Sequence, residues 1–275
     1  MSKDDSLDTS GNKYTVPALE RGLRLLGEFS RHEPTLSAPE LARRLDLPRS
    51  TVFRMLATLE ELGFVERAEG GRDFRLGIAV LRLGFEYLSS LELTELGMPI
   101  LGRLRDEIGY ASNLVVRDGR SIVYVAKVTP ASWIASSVTV GTRLPAHATV
   151  FGRILLAELS LEQLRELYPE DRLERHSEQT PATVIDLFNL LQHDKGQDCV
   201  AGEGFFEPSI STVAAPVRDR EGQVIAALGA TVPFGQIEQG LRENLVTHIR
   251  AAAIELSSAL GYSQRRARSA KVIAL

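Results

Sequence analysis

The side chains most able to do chemistry fall in one short run, Pro48-Arg49-Ser50-Thr51-Val52-Phe53-Arg54. An arginine guanidinium can bridge guanine O6 and N7, and serine or threonine hydroxyls serve phosphates and base edges. Placed at about 100° per residue, Val52, Met55, Leu56 and Leu59 form one narrow apolar face. Ser50, Arg54 and Ala57 point the opposite way, with Arg49, Thr51 and Phe53 beside them near the N-terminal end. Phe53 falls at the edge of the core face, and its expected role is packing. Such a helix suits the major groove of duplex DNA, with Arg49, Ser50, Thr51 and Arg54 as the expected contacts. The same residue types also occur as solvated positions on ordinary helical bundles, so the neighbouring elements decide.

Those elements follow from pattern and punctuation. Residues 16–30 carry Leu19, Leu23 and Leu26 at helical spacing, with Pro17 in the first turn, where its missing N–H is harmless. Ser37-Ala38-Pro39-Glu40 fits a capping box at the start of a short second helix, residues 38–45, with Leu41 and Leu45 pointing inward. Pro48 is expected at a first helical position of a third helix that runs to about residue 62 and stops at Gly63. Residues 64–67, a Glu69-Gly70-Gly71-Arg72 turn and residues 73–76 then read as a β-hairpin. Helix, helix, turn, helix, hairpin is the order of a winged helix-turn-helix. In it Ser37 meets a phosphate at a helix N-terminus, and Arg72 at the hairpin tip reaches the backbone or minor groove.

A linking helix over about 78–91 and another over 93–108 precede a change of period. Residues 113–117 and 121–127 are β-branched runs joined by Asp118-Gly119, a hairpin signal. Further strands are expected over 133–140, 212–217 and 223–232, and helices over 149–158, 161–167, 183–193 and 241–260. The fold class is α+β, in which the second domain is an antiparallel sheet flanked by helices. The expected division is a disordered lead-in (1–13), a reader domain (14–77), a linker helix (78–92), a second domain (93–263) and a basic tail (264–275).

Charge follows the same division. The formal net charge of −4 over 275 residues argues against a nucleic-acid partner only when averaged. Residues 13–85 carry +2, with four basic groups to one acidic between Arg43 and Arg54, whereas residues 86–263 carry −8 and 264–275 carry +4. Electrostatic footprints on DNA are local, so an acidic body does not veto a basic reader. With 44% apolar residues broken by charge, no stretch is long enough to span a membrane. The single Cys199 and the acidic N-terminus lead us to expect a cytoplasmic protein. Cys199 lies near His193, Asp194 and Asp198, which raises cysteine catalysis, but a lone cysteine is far more often a packed residue. The five histidines lack paired metal spacing and no phosphate loop occurs, so no metal, cofactor or catalytic residue is expected.

Several motifs in order give a more specific expectation. Val16-Pro17-Ala18-Leu19-Glu20-Arg21-Gly22, Leu41-Ala42-Arg43-Arg44-Leu45, Leu47 to Val52, Leu59 to Val65, Val140 to Thr149, Gly152-Arg153 and Ala214-Ala215-Pro216-Val217 resemble the IclR family of bacterial transcriptional regulators over about residues 16–260. The resemblance implies a GAF-like effector-binding second domain and a homodimer or dimer of dimers. It also implies double-stranded operator DNA and a small-molecule effector as partners, with no membrane. By the family's pattern the effector pocket is lined by Thr149, Val150, Phe151 and Gly152, by an acidic loop holding Gly202 and Glu203, and by Thr212, Gly229 and Thr231. Val150 and Phe151 stand where relatives carry small residues, which implies a smaller or reshaped cavity. Arg153, together with Trp133 and Phe151, implies a planar aromatic or other small organic acid. A ligand-independent dimeric repressor is the alternative reading, and an enzyme using Cys199 a remoter one.

Overall fold

The computed structural model describes residues 15–90, 92–131 and 138–263. The expected lead-in, the basic tail and Trp133 lie outside the described residues. The chain divides into two compact units, residues 1–88 and 89–275.

The first unit runs α1 (Pro17–Gly27), β1 (Leu36–Ser37), α2 (Ala38–Arg44), α3 (Arg49–Glu61), β2 (Val65–Arg67) and β3 (Asp73–Leu76). Its core joins Leu25 and Phe29 to Leu36, Leu41, Val52, Leu56, Val65 and Phe74. Leu19 and Leu23, which recur at helical spacing with Leu26, are each 61% exposed. They fall on the flank of α1, beside the Leu25, Leu26 and Phe29 side that meets the core. The capping box is half formed. Ser37 Oγ accepts from the Glu40 N–H at 3.3 Å, but the Glu40 carboxylate turns to Arg43 and Arg44 instead of reaching back. Pro48 is the N-cap, with an extended ψ of 137°, so the helix begins one residue later than expected. Gly63 ends α3 region with φ 76°, a left-handed value that glycine adopts without strain. β1 adds a third strand to the hairpin, in the order β1-β3-β2.

α4 (Ile78–Ser90) carries the chain onward. The second unit then holds α5 (Glu92–Ile108), β4 (Ala111–Asp118), β5 (Ser121–Val128), β6 (Arg143–Pro145), α6 (Val150–Leu156), α7 (Leu161–Leu167), α8 (Val184–Asp194), β7 (Val200–Glu203), β8 (Ser211–Arg218), β9 (Val224–Val232) and α9 (Gln239–Ala259). The sheet is antiparallel throughout, in the order β6-β5-β4-β9-β8-β7. α5 and α9 cover one face, while α6, backed by α8 and α7, covers the other.

Two strands differ from expectation. Residues 138–140 are not a strand, and the strand beside β5 is instead β6, after a turn in which Thr139 N–H donates to Thr142 Oγ1 at 2.9 Å. Residues 200–203, expected as part of an acidic loop, form the edge strand β7, whose burial alternates as a half-covered strand's does.

Every residue of α6 is buried, so this helix is apolar all round except for Arg153. It approaches the preceding turn so closely that a Cβ on Gly152 would stand 1.9 Å from the Ala146 carbonyl oxygen. Gly152→Ala is therefore expected to destabilise the second unit by about 1–3 kcal/mol or more. Gly22→Ala, on α1 with nothing within 4 Å of the added methyl, should leave thermal melting unchanged or raise it slightly.

Candidate functional site

In the first unit, local ion pairs decide which cations are free. Glu40 binds Arg43 and Arg44, at 2.6 and 2.7 Å, and Arg44 also binds Glu33 at 2.7 Å. Hydrogen bonds from Arg43 and Arg44 pull the Glu40 carboxyl down to about 2. Two of the four arginines in residues 43–54 are thereby neutralised. Arg67 is similarly held by Glu60 and lies over the Phe74 ring, and Arg75 is held by Glu66. By contrast, the guanidinium groups of Arg49, Arg54 and Arg72 are exposed and have no ion-pair partner among the described residues. Arg49 and Arg54 stand with exposed Ser50 at the N-terminal end of α3, Thr51 is half-buried at its flank, and Arg72 sits on the turn between β2 and β3. Ser37 caps α2.

Phe53 corrects the sequence reading. The ring is 51% exposed and does not join the core. Val52 and Leu56 already fill the inward side of α3, which leaves Phe53 on the arc shared by Arg49, Ala57 and Ser50.

In the second unit, strand register gathers most of the expected pocket residues. Gly202, Thr212 and Thr231 are paired across β7, β8 and β9, so they point to one face. The neighbouring row on that face runs Val200, Ala214, Gly229, Asn113 and Lys127. Val200 and Ala214 pack with α6, which identifies this as the α6 face. Thr149 caps α6, accepting from the Gly152 N–H at 3.0 Å. Val150 then leans over Gly202, with Cγ2 only 2.4 Å from where a Cβ would stand. Its bulk therefore fills the space that a smaller residue would leave open.

Two expected pocket residues are directed elsewhere. Phe151 turns into the core, with its ring edge-on to Tyr124 at 5.8 Å, so it offers no free face to a planar ligand. Glu203 lies on β7 next to Gly202, and strand alternation turns it to the opposite face. There its carboxylate accepts from Arg242 and from the Ile237 N–H. Arg242 lowers its pKa.

Sequence reasoning missed two polar groups on the α6 face. Asn113 is buried, and its amide donates to the Ala111 carbonyl and to Thr231 Oγ1, both at 3.3 Å. Lys127, opposite it on β5, donates to the Val138 carbonyl at 2.5 Å, and burial lowers its pKa. The available signal was a polar residue inside a β-branched run.

Arg153, expected to suit an acid, is already occupied. It makes a two-point pair with Asp194 at 2.7 Å for each bond, both groups being almost fully buried, and stacks over Phe205 at 4.9 Å. This consumes one of the two carboxylates named beside Cys199 in the catalytic alternative. Burial pushes the Cys199 thiol up to about 12, which keeps it protonated and non-nucleophilic. His193 is largely exposed, with its Nδ1 3.4 Å from Gln197 Nε2 and 3.6 Å from the Asp194 carboxylate.

Residues 18–69 match the IclR helix-turn-helix domain, and residues 85–258 match the C-terminal region of the bacterial transcriptional regulator IclR. The chain is 32% identical over 245 residues to the Pca regulon regulatory protein of Pseudomonas putida, a match covering 89% of this chain and 84% of that protein. The crystal structure of an IclR transcriptional regulator from Alicyclobacillus acidocaldarius aligns with a TM-score of 0.80 at 25% identity, over 90% of this chain and all of that one. An IclR homologue from Microbacterium hydrocarbonoxydans, crystallised with 4-hydroxybenzoate, aligns at 0.76 and 27% identity, over 88% and 98% of the two chains.

The buried pair carries a direct test. Asp194→Ala leaves an uncompensated guanidinium and is expected to cost about 3–5 kcal/mol in denaturant unfolding of the second unit. The double replacement Arg153→Met with Asp194→Leu should recover most of that loss.

Proposed function

The chain belongs to the IclR family of bacterial DNA-binding transcriptional regulators, and we propose that Arg49, Ser50, Thr51 and Arg54 read its operator while the α6 face of the second unit binds the effector. The observation that carries the DNA half is the set of unpaired cations. Ion pairs neutralise Arg43, Arg44, Arg67 and Arg75, whereas Arg49 and Arg54 on α3 and Arg72 on the wing keep exposed guanidiniums with no ion-pair partner among the described residues. Ser37 serves a phosphate through the N-terminus of α2, and Arg72 serves the backbone or minor groove.

The protein acts as a homodimer, because a two-fold protein reads paired half-sites. Exposed Val16, Leu19 and Leu23 along one side of α1 supply an apolar surface suited to a second copy. It works in the cytoplasm, and no described helix is long and apolar enough to cross a membrane.

The effector is a small organic acid, with an aromatic monocarboxylate such as 4-hydroxybenzoate as the first compound to try. The relatives named above support this class, as do the polar groups of Thr149, Thr212, Thr231, Asn113 and Lys127 beside an otherwise apolar face. Val150 above Gly202 sets the depth of the site. The effector acts by linkage: it favours one arrangement of the dimer and so changes the spacing of the two recognition helices. The protein is a regulator and not a catalyst, a reading supported by a protonated Cys199 and an Asp194 held by Arg153.

Arg54→Ala should weaken specific operator binding about tenfold or more without lowering the melting temperature, since a bidentate base contact is worth about 1–3 kcal/mol. Unchanged affinity in a gel shift would remove Arg54 from the interface. Val150→Ala should change the concentration of acid needed to shift operator occupancy, with DNA affinity in the absence of acid unaltered. Calorimetric titration of the full chain with panels of aromatic and aliphatic acids checks the ligand class, and heats no larger than dilution across both panels would sink it.

A further inference from the structure

The surface position of Phe53 conflicts with its chemistry. A phenyl ring half in water gains nothing from the core, and its surroundings are polar. At about 100° per residue, Ser50, Arg54 and Ala57 lie opposite buried Val52 and Leu56, with Phe53 and Arg49 on the flank beside them. Arg49 stands one turn before the ring and Ala57 one turn after it, while Arg54 is the next residue. The flanking guanidiniums have no ion-pair partner among the described residues. What fits this arc is a surface that is anionic around it and apolar at a single point, within a helical rise of about 1.5 Å per residue. Duplex DNA has that pattern: phosphates line the major groove, and the thymine C5 methyl is the apolar group on its floor. A partner protein would have to bring carboxylates on both sides of an apolar contact to satisfy the same arc.

We propose that Phe53 is a specificity-determining residue that packs against a thymine methyl in the operator. The inference rests on α3 entering the major groove. Arg49 and Arg54 are about 7.5 Å apart along the helix, roughly two base-pair steps, so Phe53 reads a pair adjacent to those contacted by the arginines. Ala57 extends the same apolar strip by one turn.

The test needs no prior operator. Full-length protein selects sites from a random duplex library, and each thymine of the enriched site is then replaced in both half-sites by deoxyuridine, which removes the methyl alone. Wild type should lose about fourfold in affinity per half-site at one thymine, the factor that burying one methyl group confers. Phe53→Ala should bind thymine and uracil there equally and enrich a site degenerate at that position. Arg54→Ala should bind more weakly yet keep the thymine preference. A melting curve for Phe53→Ala matching wild type confirms that the fold is intact, as expected for a half-exposed ring.

The proposal is overturned if no thymine in the enriched site distinguishes the methyl for wild type, or if Phe53→Ala retains the discrimination. It is equally overturned if Phe53→Ala keeps the same site and affinity but sediments as a smaller species, which would assign the ring to a second copy of the chain. Failure of the wild type to enrich any sequence would instead defeat the reading of α3 as a recognition helix, and this inference with it.

Discussion

The second unit is organised around a pair of opposite charges held out of water. Burying a carboxylate and a guanidinium is unfavourable unless their geometry is close to ideal, and Arg153 and Asp194 meet through two parallel bonds of 2.7 Å. One partner sits in the middle of α6 and the other is the last residue of α8, so their bond fixes the two helices against each other. Phe205, stacked on the guanidinium, ties in the chain just beyond β7. The result places Val150 over Gly202, with Thr149 capping α6 beside it, on the face proposed to bind the effector. Because the pair is electrically closed, the polar groups that face presents are uncharged hydroxyls, the Asn113 amide and the Lys127 amine.

The first unit uses ion pairs in the opposite sense. Its pairs are solvated and contribute little to stability, but they distribute charge. Glu40 and Glu33 neutralise the arginines of α2, and Glu60 and Glu66 do the same for the hairpin. Among the described residues, exposed arginines without such a partner remain on α3 and the wing, and also at Arg21 and Arg82. The acidic balance of the second unit then discourages that part of the chain from resting on DNA.

The helices were legible because their periodicity and punctuation agree: Ser37, Pro17 and Gly63 mark boundaries that the fold respects to within a few residues. What failed was the assignment of individual faces. Phe53 and Leu23 are apolar, and periodicity alone places apolar side chains inward, but three helices and a short sheet already fill the small core. In the second unit, β7 is only four residues long and holds a glycine and a glutamate, which read locally as a loop. Its pairing with β8 is a contact ten residues away that no window of sequence reveals. The same distance effect hid the Arg153 and Asp194 bond, 41 residues apart, and made Arg153 look available to a ligand. Asn113 and Lys127 were overlooked because a polar group within a buried strand is informative only once the register of its neighbours is known.

The sparing exposure of cations in the first unit also bears on life inside a crowded chromosome. Every phosphate that a protein neutralises adds affinity for all DNA alike, and a genome offers about a million or more competing sites. A reader that ties up several of its own arginines resists being soaked up by that background. Small changes in base contact or in dimer geometry can then decide whether an operator is occupied, even when few copies of the protein are present.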